Sequence, residues 1–249
     1  MKYDDVKKLY DQYVLPTYTR QGLCLVKGKG IWVEDINGKK YLDFFPGWAV
    51  SGVGHRHPMV VKRVSKQLDR ILHVSNNFYN DIQPVLAKKI IEYSFPGKVF
   101  FANSGAEANE GAIKLARRYG SPNRYEIITM EKSFHGRTLA TITATGQDKV
   151  KTGFYPLLEG FKHVPFNDIA ALERAITDKT VAVMLEPIQG EGGVNVADND
   201  YVKKLSAICK EKDLLLIFDE VQTCMGRTGK MFGFEHYDVV PDAITLAKS

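Results

Sequence analysis

The chain has 249 residues, 44% of them hydrophobic and 25% charged, and a formal charge of +5. That length can bury one large core, or a core with a small partner domain, and the composition excludes a disordered chain. The basic residues fall in scattered pairs, such as Lys39 with Lys40 and Arg117 with Arg118, rather than in the stripe of a nucleic-acid binder.

Cys24, Cys209 and Cys224 are far apart, with no zinc spacing, which points to a reducing compartment. The charged amino terminus lacks the apolar core of a signal peptide, and no apolar stretch reaches the length of a membrane span. A cytoplasmic protein is therefore expected, without membrane or nucleic-acid partners.

Residues 1–24 carry only a short amphipathic start. Lys27 to Asp43 alternates and contains Asn37-Gly38, which predicts a β-hairpin, a single strand pair ahead of the main domain. A glycine-broken loop with aromatic residues follows. His55 and His57 have no third ligand at a sensible spacing and read as locally bonded loop histidines, so metal is set aside. Val60, Val61, Val64, Leu68, Ile71 and Leu72 recur at helical spacing, as do Leu86, Ile90 and Ile91 after Pro84; both stripes are expected in the core.

From Lys98 the rhythm changes. Strands are expected at Val99–Ala102, Tyr125–Met130, Thr180–Ile188 and Leu214–Val221, with helices at Gly105–Tyr119, Thr138–Thr145, Asp168–Ile176 and Asp200–Lys210. Such alternation predicts an α/β domain with a mostly parallel sheet and right-handed crossovers. Leu214 to Phe218 is a five-residue apolar run that turns acidic at Asp219 and Glu220, the pattern of a central strand buried on both faces. Ligands of open α/β sheets bind beyond the carboxyl ends of the strands. Asp219 is thus a site candidate, although an acid at a strand end is equally a plain loop residue, and the same letters could hold magnesium in a P-loop ATPase.

The polar residues after each strand converge on one sheet edge: Asn103 to Glu107, Phe134 to Arg137, Gln189 to Gly193, and Asp219 to Gln222. Ser104 and Glu107 have the spacing of a capping box, and Gly105-Ala106 leaves the first helical amides open, so this turn reads equally as a well-capped helix and as a phosphate cradle. No GxxxxGK[ST] occurs and no GxGxxG, which leaves a phosphorylated ligand that is neither an ordinary nucleoside triphosphate nor NAD. A carboxylate for a protonated ring nitrogen (Asp219), a ring for its face (Phe134), a phosphate cradle (Gly105, Ala106) and a lysine after another short apolar strand (Lys248) are the set that pyridoxal phosphate requires.

The stretches SGAEANEGAIKLARRY, FHGRTLATITATG, LEPIQGEGGV, LLLIFDEVQ and ITLAK, in that order, resemble class III pyridoxal-phosphate aminotransferases, those of the acetylornithine type above all. The resemblance runs from about Lys27 to the last residue. It implies a fold-type-I, aspartate-aminotransferase-like large domain over residues 46–249. Residues 1–45 would belong to a small domain whose carboxyl-terminal part lies beyond Ser249. It also implies cofactor contacts from Ser104, Gly105, Ala106, Phe134 and Val221, a pyridine-nitrogen partner in Asp219, a ring-hydroxyl partner in Gln222 and the Schiff-base lysine in Lys248. Arg137 would hold the substrate carboxylate, and Glu191 would neutralise a second arginine. The implied reaction passes the terminal amine of N-acetylornithine to 2-oxoglutarate, in arginine biosynthesis, by a homodimer. Alternatives are an ornithine, succinylornithine or 4-aminobutyrate type, an aminomutase, or a chain that is catalytically incomplete. Two residues depart from the family pattern. Cys224 replaces a usual glycine, and Gly111 replaces a usual alanine, weakening its helix by about 1 kcal/mol.

Overall fold

The computed structural model describes residues 1–248, which separate into two compact units, Met1–Asn80 and Asp81–Lys248. In the first unit, helix α1 (Tyr3–Tyr13) precedes three antiparallel strands, β1 (Leu25–Lys29), β2 (Trp32–Asp35) and β3 (Lys40–Leu42), and helix α2 (Pro58–Leu68) follows. Asn37-Gly38 turns β2 into β3 as expected, but a second turn at Gly30 adds β1, so the element has three strands and not two. Asp35 organises the Asn37 turn by accepting the amides of Asn37 and Lys39, each at 2.9 Å, and the Tyr41 hydroxyl at 2.8 Å. His55 is bonded locally, its Nε2 lying 2.7 Å from Asp43.

The second unit opens with α3 (Gln83–Tyr93) and α4 (Gly105–Gly120). After β4 (Glu126–Met130), α5 (Leu139–Ala144) and α6 (Asp148–Lys151) come β5 (Phe161–Val164), α7 (Ile169–Ala175) and β6 (Thr180–Leu185). A short ribbon, β7 (Ile188–Gln189) with β8 (Asn195–Val196), leads to α8 (Asn199–Glu211), β9 (Leu215–Asp219) and β10 (Ala243–Thr245). Five strands form a wholly parallel sheet in the order β10-β9-β6-β4-β5. Every residue of β6, the middle strand, is buried, and β9 is the interior strand expected, paired with β6 and β10 and buried on both faces. One core packs α8 and α7 against one face through Leu172, Val202, Leu205, Leu216 and Phe218; the other packs α4 and α5 against the opposite face through Ile113, Ala116, Ile127, Met184 and Ile217. Leu216 and Phe218 face one core and Ile217 the other, as the two-residue strand period requires.

Three expectations fail. Val99–Ala102 forms no strand: a strand needs a ladder partner, and the positions beside β10 and β5 are sheet edges among the described residues. The residues Val60, Val61, Val64, Leu68, Ile71, Leu72 and Leu86 are exposed rather than core. Helical spacing defines a face to bury, but it does not supply the element that covers it. Finally, β6 stops at Leu185, because Pro187 has no amide to continue the ladder and Ile188 pairs instead with Val196.

Candidate active site

Because all five strands run parallel, the residues that follow β4, β6, β9 and β10 emerge at one edge: Ser133 to Arg137, Glu186, Asp219 with its successors, and Leu246 to Lys248. Asp219 is the last residue of β9 and is buried. Its Oδ2 accepts Asn109 Nδ2 of α4 at 2.7 Å and lies 2.8 Å from His135 Nδ1, while Oδ1 accepts the Val221 amide at 3.0 Å. Asn109 Nδ2 also donates to the His135 carbonyl at 2.7 Å, which fixes the orientation of the amide and ties the turn after β4 to α4.

The amino terminus of α4 faces the same edge. Ser104 caps it, accepting the Glu107 amide at 3.2 Å, and Glu107 reaches back to the Asn103 amide at 2.6 Å, one residue before the expected partner. A Cβ built on Gly105 would lie 2.8 Å from Val221 and 3.5 Å from the Ala247 Cβ, so the helix start presses against the residues that follow β9 and β10. Gly136, at φ +136°, has room for no side chain between Thr141 and Ala106. Glycine thus lets the turn after β4 close on the α4 terminus.

Phe134 is half-buried between these parts. Its amide donates to Glu186 Oε1 at 2.8 Å, and the exposed Arg137 places its guanidinium carbon 5.9 Å above the Phe134 ring. Gln222 Nε2 lies 3.4 Å from Glu191 Oε1 and its side chain packs on Gly190, which joins those two candidates at one wall. Lys248 is half-buried at φ +50°, two residues past Leu246. It is joined to the rest through Ala247, which packs toward Gly105 and whose carbonyl accepts the Cys224 thiol at 3.3 Å. Cys224 is buried, and burial pushes its thiol up to about 11, so it is a packed, inert group.

Three members of this cluster escaped the sequence reading as a group: Asn109, His135 and Glu186. Burial disfavours a charged imidazole at His135, yet the hydrogen bond and charge of Asp219, with the charge of Glu186, hold its pKa above the usual value. Burial pushes Glu186 up to about 7, against the opposing charge of His135 and the bonds from Phe134 and Gly190. Asn109 was legible in principle, since it occupies a buried position in the stripe Asn109, Ala112, Ile113, Ala116 of an amphipathic helix. Glu220, by contrast, turns away from the site: its carboxylate accepts the Gly233 and Phe234 amides, each at 2.7 Å, and the Thr223 hydroxyl.

The donor set fits pyridoxal phosphate. A buried carboxylate held in place by three donors suits a ring N–H, the small first residues of α4 suit a phosphate, and a half-exposed aromatic ring suits a ring face. A separate concavity of about 500 Å³, between Asn167, Asp198, Asp200, Tyr201 and Lys204, shares no residue with this cluster. Among the described residues, no helix is long and apolar enough to cross a membrane.

The aminotransferase class-III family model matches residues 14–249. The acetylornithine aminotransferase of Methanocaldococcus jannaschii is 56% identical over 245 residues, which are 97% of this chain and 62% of that protein. The acetylornithine aminotransferase of Caldanaerobacter subterraneus is 57% identical over 241 residues, 95% of this chain and 61% of its own. A solved structure of the Toxoplasma gondii ornithine aminotransferase, with pyridoxal phosphate at partial occupancy in its active site, superposes with a TM-score of 0.92 at 34% identity, covering 99% of this chain and 60% of that one. The chain therefore spans about three-fifths of the length of these relatives. With four parallel strands and the start of α4 delivering these motifs to one edge and a family match over nearly its whole length, the chain belongs to the class-III aminotransferases.

Proposed function

We propose that this chain carries the pyridoxal-phosphate site of a transaminase that moves the terminal amine of N-acetylornithine to 2-oxoglutarate, acting as a homodimer. The observation that carries the cofactor reading is Asp219, a buried carboxylate held by Asn109, His135 and Val221 where four strand ends meet the start of α4. The substrate reading rests on the names of the two relatives more than half identical to this chain. The homodimer reading rests on the resemblance and on the exposed apolar stripe of α2.

Pyridoxal phosphate, when bound, supplies a protonated ring that draws electrons from a substrate C–H bond. Asp219 holds the proton on the ring nitrogen, since a charged acceptor in a dry site favours the protonated donor. Gly105 and Ala106 offer unobstructed amides at the positive end of α4 to the phosphate, beside the Ser104 cap. Phe134 and Val221 furnish apolar surface for the ring, and Gln222 bonds the ring hydroxyl. Lys248 Nζ would hold the cofactor and, as a neutral amine, would carry a proton to and from the substrate carbon. Arg137 takes the substrate carboxylate, and Glu191, beside Gln222, balances a neighbouring cation.

Borohydride trapping tests the cofactor site: the chain is incubated with pyridoxal phosphate, reduced and digested, and the label is located by mass spectrometry. Selective labelling of Lys248, lost in Lys248→Ala, is expected. Diffuse labelling of surface lysines, unchanged in the variant, refutes the site. For the whole protein, half-reaction rates with N-acetylornithine, ornithine, succinylornithine and 4-aminobutyrate decide the donor. A preference for any of the last three refutes the substrate reading.

A further inference from the structure

Two buried carboxylates that arrive from different strands hold the Phe134-His135 turn. Asp219, at the end of β9, lies 2.8 Å from its Nδ1, and Glu186, just past β6, accepts the amide of Phe134, the residue before it. Glu186 therefore grips the main chain just before Phe134, whose ring faces the site, and one residue ahead of the imidazole that backs Asp219. The turn is braced elsewhere too: the His135 amide donates to Thr145 Oγ1 at 2.9 Å, and its carbonyl accepts Asn109. His135 Nε2 is buried and has no hydrogen-bond partner, so no direct bond at that atom selects the neutral or the charged ring. The flanking charges make that choice.

Two ionised carboxylates and a neutral imidazole would leave two uncompensated negative charges in a dry cluster, which is costly; one shared proton removes half of that charge. The remaining groups against the cluster are the Gly190 amide on Glu186, the Thr145 hydroxyl on the His135 amide, and Thr245 Oγ1 at 3.5 Å from Asp219. His163 on β5 feels the charge of His135 and, with burial as the main cause, is held at about 4, so it stays neutral and does not compete for the proton. Burial pushes Glu186 up to about 7, and against its own burial His135 is held above its usual value by Asp219 and Glu186, so both groups favour keeping a proton.

We propose that Glu186 is a positioning residue that clamps the Phe134 backbone and shares one proton with His135, so that Asp219 keeps both its charge and its aim. The inference deepens the cofactor reading in what Asp219 and Phe134 serve, but the cluster is tested in cofactor-free protein.

The test is an NMR titration of the full chain labelled at histidine, with the His135 signal assigned by its loss in His135→Gln. Glu186→Gln keeps an oxygen for the Phe134 amide and removes the charge. It is expected to lower the His135 midpoint by about one pH unit, the size of effect of a nearby charge in a dry site. The exposed carboxylate variant Glu131→Gln is expected to leave that midpoint in place. An unmoved midpoint in Glu186→Gln, or an equal fall in Glu131→Gln, overturns the proposal. A second measurement needs no substitution: the Phe134 amide shift in the unaltered chain should titrate with the same midpoint as His135. A pH-independent Phe134 amide overturns the proposal by itself. Failure of borohydride trapping with these titrations intact would sink the cofactor reading and leave the proton sharing standing.

Discussion

Alanine at Gly105 and alanine at Gly111 should have opposite effects on the same helix. At Gly105 the new Cβ would fall 2.8 and 3.0 Å from the two Val221 methyl carbons, inside the distance at which carbon contacts turn repulsive, and in ordinary contact at 3.5 Å with the Ala247 Cβ. Val221 is β-branched and has few rotamers to retreat into, and its amide is bonded to Asp219. Overpacking of this kind costs about 1–3 kcal/mol. Relief of the glycine entropy offsets at most about 1 kcal/mol, and less in a first helical turn, so a net loss of about 1–2 kcal/mol is expected. At Gly111 the methyl would meet only the Phe100 ring, at 3.3 and 3.4 Å, and that ring is 79% exposed and free to swing. Gly111→Ala should therefore gain about 0.5–1 kcal/mol from helix propensity alone. Urea unfolding followed by far-ultraviolet circular dichroism measures both, and a spectral titration with pyridoxal phosphate should show weaker binding only for Gly105→Ala. Wild-type stability and affinity in Gly105→Ala, or a change of the same sign at both positions, would refute the reasoning.

Asp219→Asn sets an amide against donors from Asn109, His135 and Val221 and leaves at least one of them unmet; a loss of about 1–3 kcal/mol in urea, with a large loss of cofactor affinity by absorbance, is expected. Glu186 has a folded pKa of about 7 against an ordinary 4.5, so the folded chain binds its proton more tightly than the unfolded one. Its contribution is fully present below 4.5 and lost as pH rises through 7. The unfolding free energy of the unaltered chain, measured in urea, should thus fall relative to Glu186→Gln between those values, by no more than about 3 kcal/mol in total, and equal slopes with pH would contradict this. Glu220→Gln keeps one acceptor oxygen but turns an NH₂ toward the Thr223, Gly233 or Phe234 donors, and should lower the thermal midpoint through a loss of about 1–3 kcal/mol without reducing cofactor affinity as Asp219→Asn does.

What the sequence disclosed depends on how local each signal is. The α4 helix is announced by its Ser104 cap and its apolar stripe, and β9 by an unbroken apolar run; both lie within a residue or two of where they were expected. Val99–Ala102 and the stripe of α2 carry equally good local patterns and fail, because a strand and a buried face are both defined by what lies opposite them. The cluster behind the site is less local still. Asn109 meets His135 across 26 residues, His135 meets Asp219 across 84, and Asn109 meets Asp219 across 110. Only the parallel crossovers close those separations, so Asp219 and His135 were visible at strand ends while Asn109, inside α4, and the bonds that join the three were not.

Asp219 and Glu220 show how one apolar run serves two purposes. The run carries both acids to the sheet edge, and the two-residue period of the strand then sends them to opposite sides. Asp219 meets α4 and the turn after β4, where its charge can face a ligand. Glu220 is buried under the loop of residues 223–234, with two amides and a hydroxyl on its two oxygens. An Asp-Glu pair that served nucleotide hydrolysis would need carboxylates turned toward a metal ion or an attacking water. Glu220 is wholly buried and all three of its donors come from residues 223–234, so the second acid is a fastener for that loop. The same geometry explains why the first acid stays put, since Glu220 pins the chain immediately after Asp219 while Thr245 on β10 accepts the Glu220 amide at 3.0 Å.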